Sequence, residues 1–277
     1  MNRSERDGLT FLHLPAWDET LALNHGFLTR SGGVSPHPYA TLNLGPFSGD
    51  PPSNIETNLR RVARALGISP ERVFCARQVH GAAIREAHSS DILNSAFTSP
   101  DPFQCDGLVT DEPGVFLGVL SADCLPILLF DPARPAVAAI HAGWRGTLQG
   151  ISEKAVGCLR AWYGSKPEDL QAAFGPAIGP CCYRVGEDVV TRFRDTDPGT
   201  GPCMPMTAPG QWSLDLAALN RRQFLRSGLR LTNLFFSGSC TRCFSDQFFS
   251  VRAQGDPTGR LISVIGLRLP QEARPRG

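Results

Sequence analysis

The chain has only two lysines, Lys154 and Lys166, among 277 residues. Its other positive charges are arginines, and 27 Lys+Arg against 26 Asp+Glu leave a formal net charge of +1. A balance this close to neutral gives no electrostatic footprint for nucleic acid or for an anionic membrane. Long apolar runs are also missing: nothing approaches the ~18 consecutive residues of a membrane span. The opening "MNRSERDGLTFLHLP" has no apolar core of signal-peptide length, so a cytoplasmic location is expected. There is no Walker motif and no G-x-G-x-x-G after a strand, which removes the common nucleoside-triphosphate and dinucleotide sites. The six histidines include no H-x-H pair. A multicopper oxidase needs several such pairs beside a blue-copper His₂Cys site, so that chemistry is excluded on ligand count.

Composition is otherwise that of an ordinary globular protein, with 42% hydrophobic and 19% charged residues. The chain reads as one domain over 1–277, with ragged termini at 1–20 and 269–277. Residues 31–54 are rich in Gly, Pro and Ser and read as loop. Ser53 and Glu56 have capping-box spacing ahead of a helical stripe of Ile55, Leu59, Val62 and Leu66, which Gly67 stops. Apolar runs follow at 73–81, 107–110, 115–124, 125–131 and 136–143. They lack polar alternation, the pattern of strands covered on both faces. Helices are predicted at 148–163, 186–194 and 214–227, and further strands at 170–175, 231–236, 247–252 and 261–267. Residues 195–212 read as a long loop. The interspersed elements give an α/β (α+β) class with layered mixed β-sheets flanked by helices.

Three of the apolar runs end on a metal-grade ligand: His80 in "RQVHG", Cys124 in "SADC" and His141 in "AIHAGW". Strand ends are where such folds place functional groups. Two imidazoles and a thiolate make a three-ligand site for a borderline-soft ion, with a fourth position open. The separations, 44 residues and then 17, match no short zinc motif. Asp106 and Asp123 are candidates to orient an imidazole from behind. The same Cys124 and His141 would also serve a metal-free thiolate nucleophile and its base. Nine cysteines are an odd number and, in a cytoplasmic setting, no disulfide framework. The adjacent Cys181–Cys182 read as core or cleft lining, and the C-x-x-C at Cys240–Cys243 lacks a second pair in sequence. His13, His25, His37 and His88 read as surface histidines. Arg30, Arg145 and Arg252 sit in glycine- or aromatic-rich turns suited to clamping phosphate.

Taken in order, "TRSGGVSPHPYATLNLG", "RQVHG", "DGLVT", "SADCLPILLFDP", "AAIHAGWRGT", "GPAIGPCCYRVG" and "CT…FFSVR…TGR" resemble the YfiH or laccase-domain family over residues 25–267. The resemblance implies a layered α/β fold similar to the catalytic domain of cytotoxic necrotizing factor toxins. It implies Zn²⁺ held by His80, Cys124 and His141, with copper as an alternative occupant of that site. It also implies phosphorolysis of adenosine, inosine and 5′-methylthioadenosine, together with deamination of adenosine. Asp123 is then the candidate acid for the leaving ammonia. Arg30, Asn43, Arg145 and Arg252 are the candidates for contacts to the purine nucleosides and phosphate. The stretch 195–212 departs from the family's familiar pattern. The alternatives are a metal-independent Cys–His thiol hydrolase or deamidase, and a copper-dependent polyphenol oxidoreductase.

Overall fold

The computed structural model describes residues 1–20 and 23–269. Two six-stranded sheets form its middle. The first has the order β1 (Asn2–Arg6), β2 (Leu9–His13), β3 (Leu23–Leu28), β15 (Leu261–Leu267), β7 (Phe116–Ser121), β4 (Val73–Cys75). The second runs β14 (Leu234–Phe236), β10 (Gln171–Phe174), β8 (Leu125–Asp131), β9 (Ala136–Ala142), β6 (Gly107–Thr110), β5 (Ile84–Glu86). Both are mixed: β4 is parallel to β7, β5 to β6 and β14 to β10, and the remaining pairs are antiparallel. A small third sheet joins β11 (Arg184–Val185), β13 (Gln211–Ser213) and β12 (Met206–Ala208).

The layering explains why the central strands show no alternation. β8, β9 and β15 are buried at every position. On β8, Leu128 and Phe130 pack towards the first sheet with Phe27, Leu117 and Ile265. Ile127 and Leu129 pack the other way, against α4 (Ile151–Tyr163), α5 (Glu187–Thr196) and α6 (Leu216–Arg226). The outer face of the first sheet is covered by α2 (Pro52–Leu66), whose Leu59, Val62 and Leu66 meet Phe11, Phe116 and Val264. The order of layers is therefore helix, sheet, sheet, helices. Each fully buried Leu, Ile, Val or Phe contributes about 1.5–3 kcal/mol. That burial sustains strands only three residues long, such as β4 and β14. No helix among the described residues is long and apolar enough to cross a membrane.

Several local expectations change. Ser53 does not cap α2: the helix starts at Pro52, and Ser53 lies inside its first turn, where its carbonyl accepts from Thr57 Oγ1. Proline at the first helical position supplies the start instead, because its fixed φ already fits a helix. The predicted 148–163 helix begins earlier, as α3 (Trp144–Leu148), and is interrupted at Gly150, whose φ is +75°. Residues 247–252 form no strand: Ser250 caps a short helix, α7 (Val251–Gln254), by accepting from Ala253 N. The loop expected at 195–212 contains the end of α5, a 3₁₀ turn at Pro198–Cys203, and the β12–β13 hairpin. The N-terminal 1–20 is not ragged, since β1, β2 and α1 (Pro15–Asp18) lie within it. Of the other terminus, 270–277 falls outside the described residues. His25 is not a surface residue. It is buried, its Nε2 accepts from Leu14 N at 2.8 Å, and burial lowers its pKa to about 3.

Candidate metal centre and cleft

The chain leaves the first sheet at Ser121, turns through Ala122, Asp123 and Cys124, and enters the second sheet at Leu125. Cys124 therefore lies on the seam between the sheets. His141, one residue before the end of β9, pairs with Pro126 of β8, which brings it beside Cys124. His80 comes from the loop after β4. Its loop is fixed to β7 by Gln78, whose side chain donates to Leu120 O and accepts from Leu120 N, both at 2.7 Å. The ligand atoms of His80, Cys124 and His141 all lie within 4.8 Å of one another. Zinc bonds of about 2.0–2.1 Å to nitrogen and 2.3 Å to sulfur put neighbouring tetrahedral ligands ~3.3–3.8 Å apart. Separations bounded at 4.8 Å are compatible with that geometry.

Asp106, just ahead of β6, holds two of these ligands together. Its Oδ1 accepts from His141 Nδ1 and from His80 N, both at 2.9 Å. Its Oδ2 accepts from Gly81 N at 2.7 Å and Val79 N at 3.2 Å. Three consecutive backbone amides thus wrap one carboxylate, and this wrapping sustains the left-handed φ of +58° at His80. Burial works against the Asp106 charge, but the His141 ring and these amides outweigh it and hold the carboxyl below its ordinary range. A proton held on His141 Nδ1 leaves Nε2 free to ligate, the arrangement of carboxylate–histidine–metal sites. Burial also opposes charge on Cys124 and His141. Their mutual attraction prevails: the Cys124 pKa falls, and the His141 pKa rises with further help from Asp106. A thiolate near neutral pH is what a metal ligand or a nucleophile requires.

Gly143 closes the site from above. A Cβ there would lie 3.2 Å from Cys124 Sγ and 3.5 Å from His80 Cδ2. A cleft of about 280 Å³ opens over the three ligands, walled by Phe47, Gln78, Val251 and Arg260. Phe47 is 55% exposed, and the Arg77 guanidinium stands 5.2 Å from its ring centroid.

The other sequence candidates divide. Asp123 lies next to Cys124, but its Oδ1 accepts from Thr241 Oγ1 at 2.7 Å and its Oδ2 from Arg252 N at 2.8 Å. It is a brace between loops rather than a free acid. Arg30 is structural as well: it donates three bonds to Ala40 O and Ser245 O and stacks on Phe249. Asn43 is fully buried and saturated. Its amide donates to Ser48 and Asp50, and its oxygen accepts from Gly45 N and Arg260 N, which shapes the loop that carries Phe47. Arg145 and Arg252 remain exposed, over Trp144 and Tyr183 respectively. Burial first and then the Cys124 charge push the Tyr183 hydroxyl up to about 12, while Arg252 and Arg145 oppose them. Cys182 packs against the core and Cys181 lines a neighbouring cleft, and both also converge with Cys240 and Cys243. Asp106 orients an imidazole as its sequence position suggested, whereas Gln78, Gly143 and Phe47 carry parts of the site that no motif spacing assigns to them.

Residues 24–268 match the family model described as multi-copper polyphenol oxidoreductase laccase. The chain is 42% identical over 247 residues to the purine nucleoside phosphorylase YlmD of Geobacillus stearothermophilus, covering 88% of this chain and 89% of that one. It is 39% identical over 260 residues to a purine nucleoside phosphorylase of Deinococcus radiodurans, covering 94% of each. The crystal structure of YlmD from Geobacillus stearothermophilus is similar with a TM-score of 0.90 at 39% identity, covering 96% of this chain and 98% of that one.

Proposed function

The chain belongs to the family described as multi-copper polyphenol oxidoreductase laccase, and from that membership we propose that it is a zinc-dependent purine nucleoside phosphorylase with adenosine deaminase activity. The observation that carries this reading is the convergence of His80, Cys124 and His141 at the floor of a nucleoside-sized cleft. Two relatives covering most of the chain bear the phosphorylase name. The substrates are adenosine, inosine or 5′-methylthioadenosine with phosphate, and the products are the free base and a pentose 1-phosphate.

His80, Cys124 and His141 would hold the ion. Zinc bound there supplies Lewis-acid polarisation at neutral pH. Asp106 keeps the proton on His141 Nδ1 and so presents Nε2 to the site. Phe47 offers a face on which the purine stacks. Arg145 and Arg252 bind phosphate, and the hydroxyl of Tyr183, whose ring lies under Arg252, stays protonated and donates to an anionic oxygen. These groups place phosphate and nucleoside in one geometry, which lowers the entropic part of the barrier. The oxidoreductase wording of the family's description does not fit the donor set. Among the described residues only two of the six histidines enter a metal-grade cluster, too few for a multicopper centre.

A second reading has an observation of its own. Cys124, His141 and Asp106 form a nucleophile–base–orienter series, as in thiol hydrolases. One experiment separates the two. Purified protein is incubated with adenosine, with and without phosphate, and adenine, ribose 1-phosphate and inosine are assayed. The phosphorylase reading expects phosphate-dependent adenine, with loss in His80→Ala, Cys124→Ala and His141→Ala. Turnover that ignores phosphate and chelators, survives His80→Ala and is abolished by iodoacetamide would establish the thiol reading instead.

A further inference from the structure

Four cysteines that the proposed chemistry does not use meet at one point on the surface. The Sγ atoms of Cys181, Cys182, Cys240 and Cys243 all lie within 4.8 Å of one another. Cys243 Sγ is 3.6 Å from that of Cys181 and 3.4 Å from that of Cys182. All four are free thiols. They come from two loops, one after β10 and one after β14, so the cluster exists only in the folded chain.

We propose that these four sulfurs bind a second, structural zinc ion, separate from the His80–Cys124–His141 centre. A Zn–S bond of about 2.3 Å implies S···S edges of about 3.8 Å in a tetrahedral Cys₄ site. The two separations from Cys243, 3.6 and 3.4 Å, lie a few tenths of an ångström inside that value, and no pair is more than 4.8 Å apart. A disulfide needs its sulfurs at about 2.05 Å, and Cys243 stands almost equally far from two partners. An ion at the centre satisfies all four together, where one disulfide would leave two sulfurs out. All-thiolate tetrahedral sites select zinc or iron–sulfur centres over hard cations.

Backbone geometry supports the same reading. Adjacent residues on a strand would point to opposite faces. Here Cys182 N and Tyr183 N both donate to Gly179 O, closing a tight turn that brings Cys181 and Cys182 to one side. Gly179 N donates to Cys240 Sγ at 3.3 Å, the kind of amide contact that stabilises a thiolate ligand. A Cβ on Gly179 would stand 3.3 Å from Cys181 Sγ and from Cys240 Cβ, so glycine leaves the sulfurs room to close. Phe244 N donates to Cys240 O at 3.0 Å, folding Cys240–Cys243 into the turn through which a C-x-x-C grips one ion.

The site has a job to do. The loops it joins carry Tyr183, one residue from Cys182, and Thr241, one residue from Cys240. Thr241 holds Asp123, the neighbour of Cys124. The second ion therefore braces the turn that carries Cys124 without touching substrate.

The test is zinc content per chain in protein purified under reducing conditions, for the unmutated chain, Cys240→Ser/Cys243→Ser and His80→Ala/His141→Ala. Two equivalents are expected in the unmutated chain and one in each double variant. If the catalytic-centre reading fails while this one holds, the unmutated chain carries one equivalent, lost only from the cysteine variant. On the unmutated chain, mercurial titration should release one zinc in step with modification of these four cysteines, identified by peptide mapping. The inference is overturned if the cysteine variant keeps the full metal content, or if the four thiols are modified without metal release. It is overturned equally by a disulfide among them in freshly isolated protein, or by iron with inorganic sulfide in that place.

Discussion

Asp106→Asn is the sharpest single perturbation. Asn is nearly isosteric, but it has one acceptor oxygen where Asp106 has two, and those two take four hydrogen bonds. The surviving oxygen is best spent on Val79 N and Gly81 N, because backbone amides cannot change their protonation. The new NH₂ then faces His80 N and His141 Nδ1. The amide–amide confrontation leaves a buried donor unpaired, at about 1–3 kcal/mol. His141 can answer only by accepting at Nδ1, which moves its proton to Nε2 and blocks the ligand position. Loss of such a partner lowers metal affinity 10- to 100-fold, or about 1.4–2.7 kcal/mol. The assay is a chelator competition for zinc, run beside phosphorolysis at fixed free zinc, with Asp123→Asn as the control. Asp106→Asn should weaken zinc binding by that factor and lower turnover with it. Asp123→Asn should bind zinc within about twofold of the parent, since its carboxylate faces Thr241 and Arg252. Parental zinc affinity in Asp106→Asn would refute the reasoning.

Three further outcomes are expected. His25 has a folded pKa of about 3 against 6.5 when free, so between these values the unfolded chain carries the extra proton. Its contribution is complete above pH 6.5 and is lost as pH falls towards 3, at about 1.4 kcal/mol per unit. Urea unfolding at pH 4.5, 5.5 and 7 should show a slope smaller by that amount in His25→Gln, and equal slopes would contradict the assignment. Gly143→Ala suits the backbone, since φ is −74°, yet its Cβ crowds Cys124 and His80. It should lose about tenfold or more in zinc affinity with a metal-free Tm close to the parent's, and a matching loss of metal-free stability would point to the fold instead. Dipicolinate should abolish phosphorolysis and added zinc should restore it, whereas chelator-resistant activity would favour the thiol mechanism.

Much of the fold was legible because burial leaves a direct trace in composition. Runs such as "LPILLFD" and "AVAAIHA" have no polar face because neither face of the strand meets water. The strand predicted at 261–267 matches β15 residue for residue. Cys124 and His141 were legible as candidates at strand ends, whereas His80 lies in the loop beyond β4, and the convergence of the three was not legible: it depends on the register of β8 with β9 and on Gln78 fixing the loop of His80. Asp106 and Asp123 were indistinguishable in sequence, since adjacency to Cys124 says nothing about where a carboxylate points. Arg30 and Asn43 look functional in a glycine-rich loop, yet that loop has carbonyls and amides of its own, and both side chains satisfy them. The convergence of the cysteine pair with Cys240 and Cys243 was hidden for a geometric reason. Neighbours diverge on a strand and converge in a turn, and the Gly179–Pro180 dipeptide was the one local signal of that turn.

The seam between the sheets has a consequence for folding. His80 hangs from the first sheet, His141 ends a strand of the second, and Cys124 lies on the crossing chain. Cys124 and His141 meet when β8 pairs with β9, but His80 joins them only once the sheets have docked. Whatever binds there selects the docked state and is linked to global unfolding. An ion at 100 times its dissociation constant would add about 2.7 kcal/mol against separation of the sandwich. The centre would then act as a clasp as well as a place for chemistry, and hydrogen exchange in β7 and β8 would slow on loading in proportion to metal affinity.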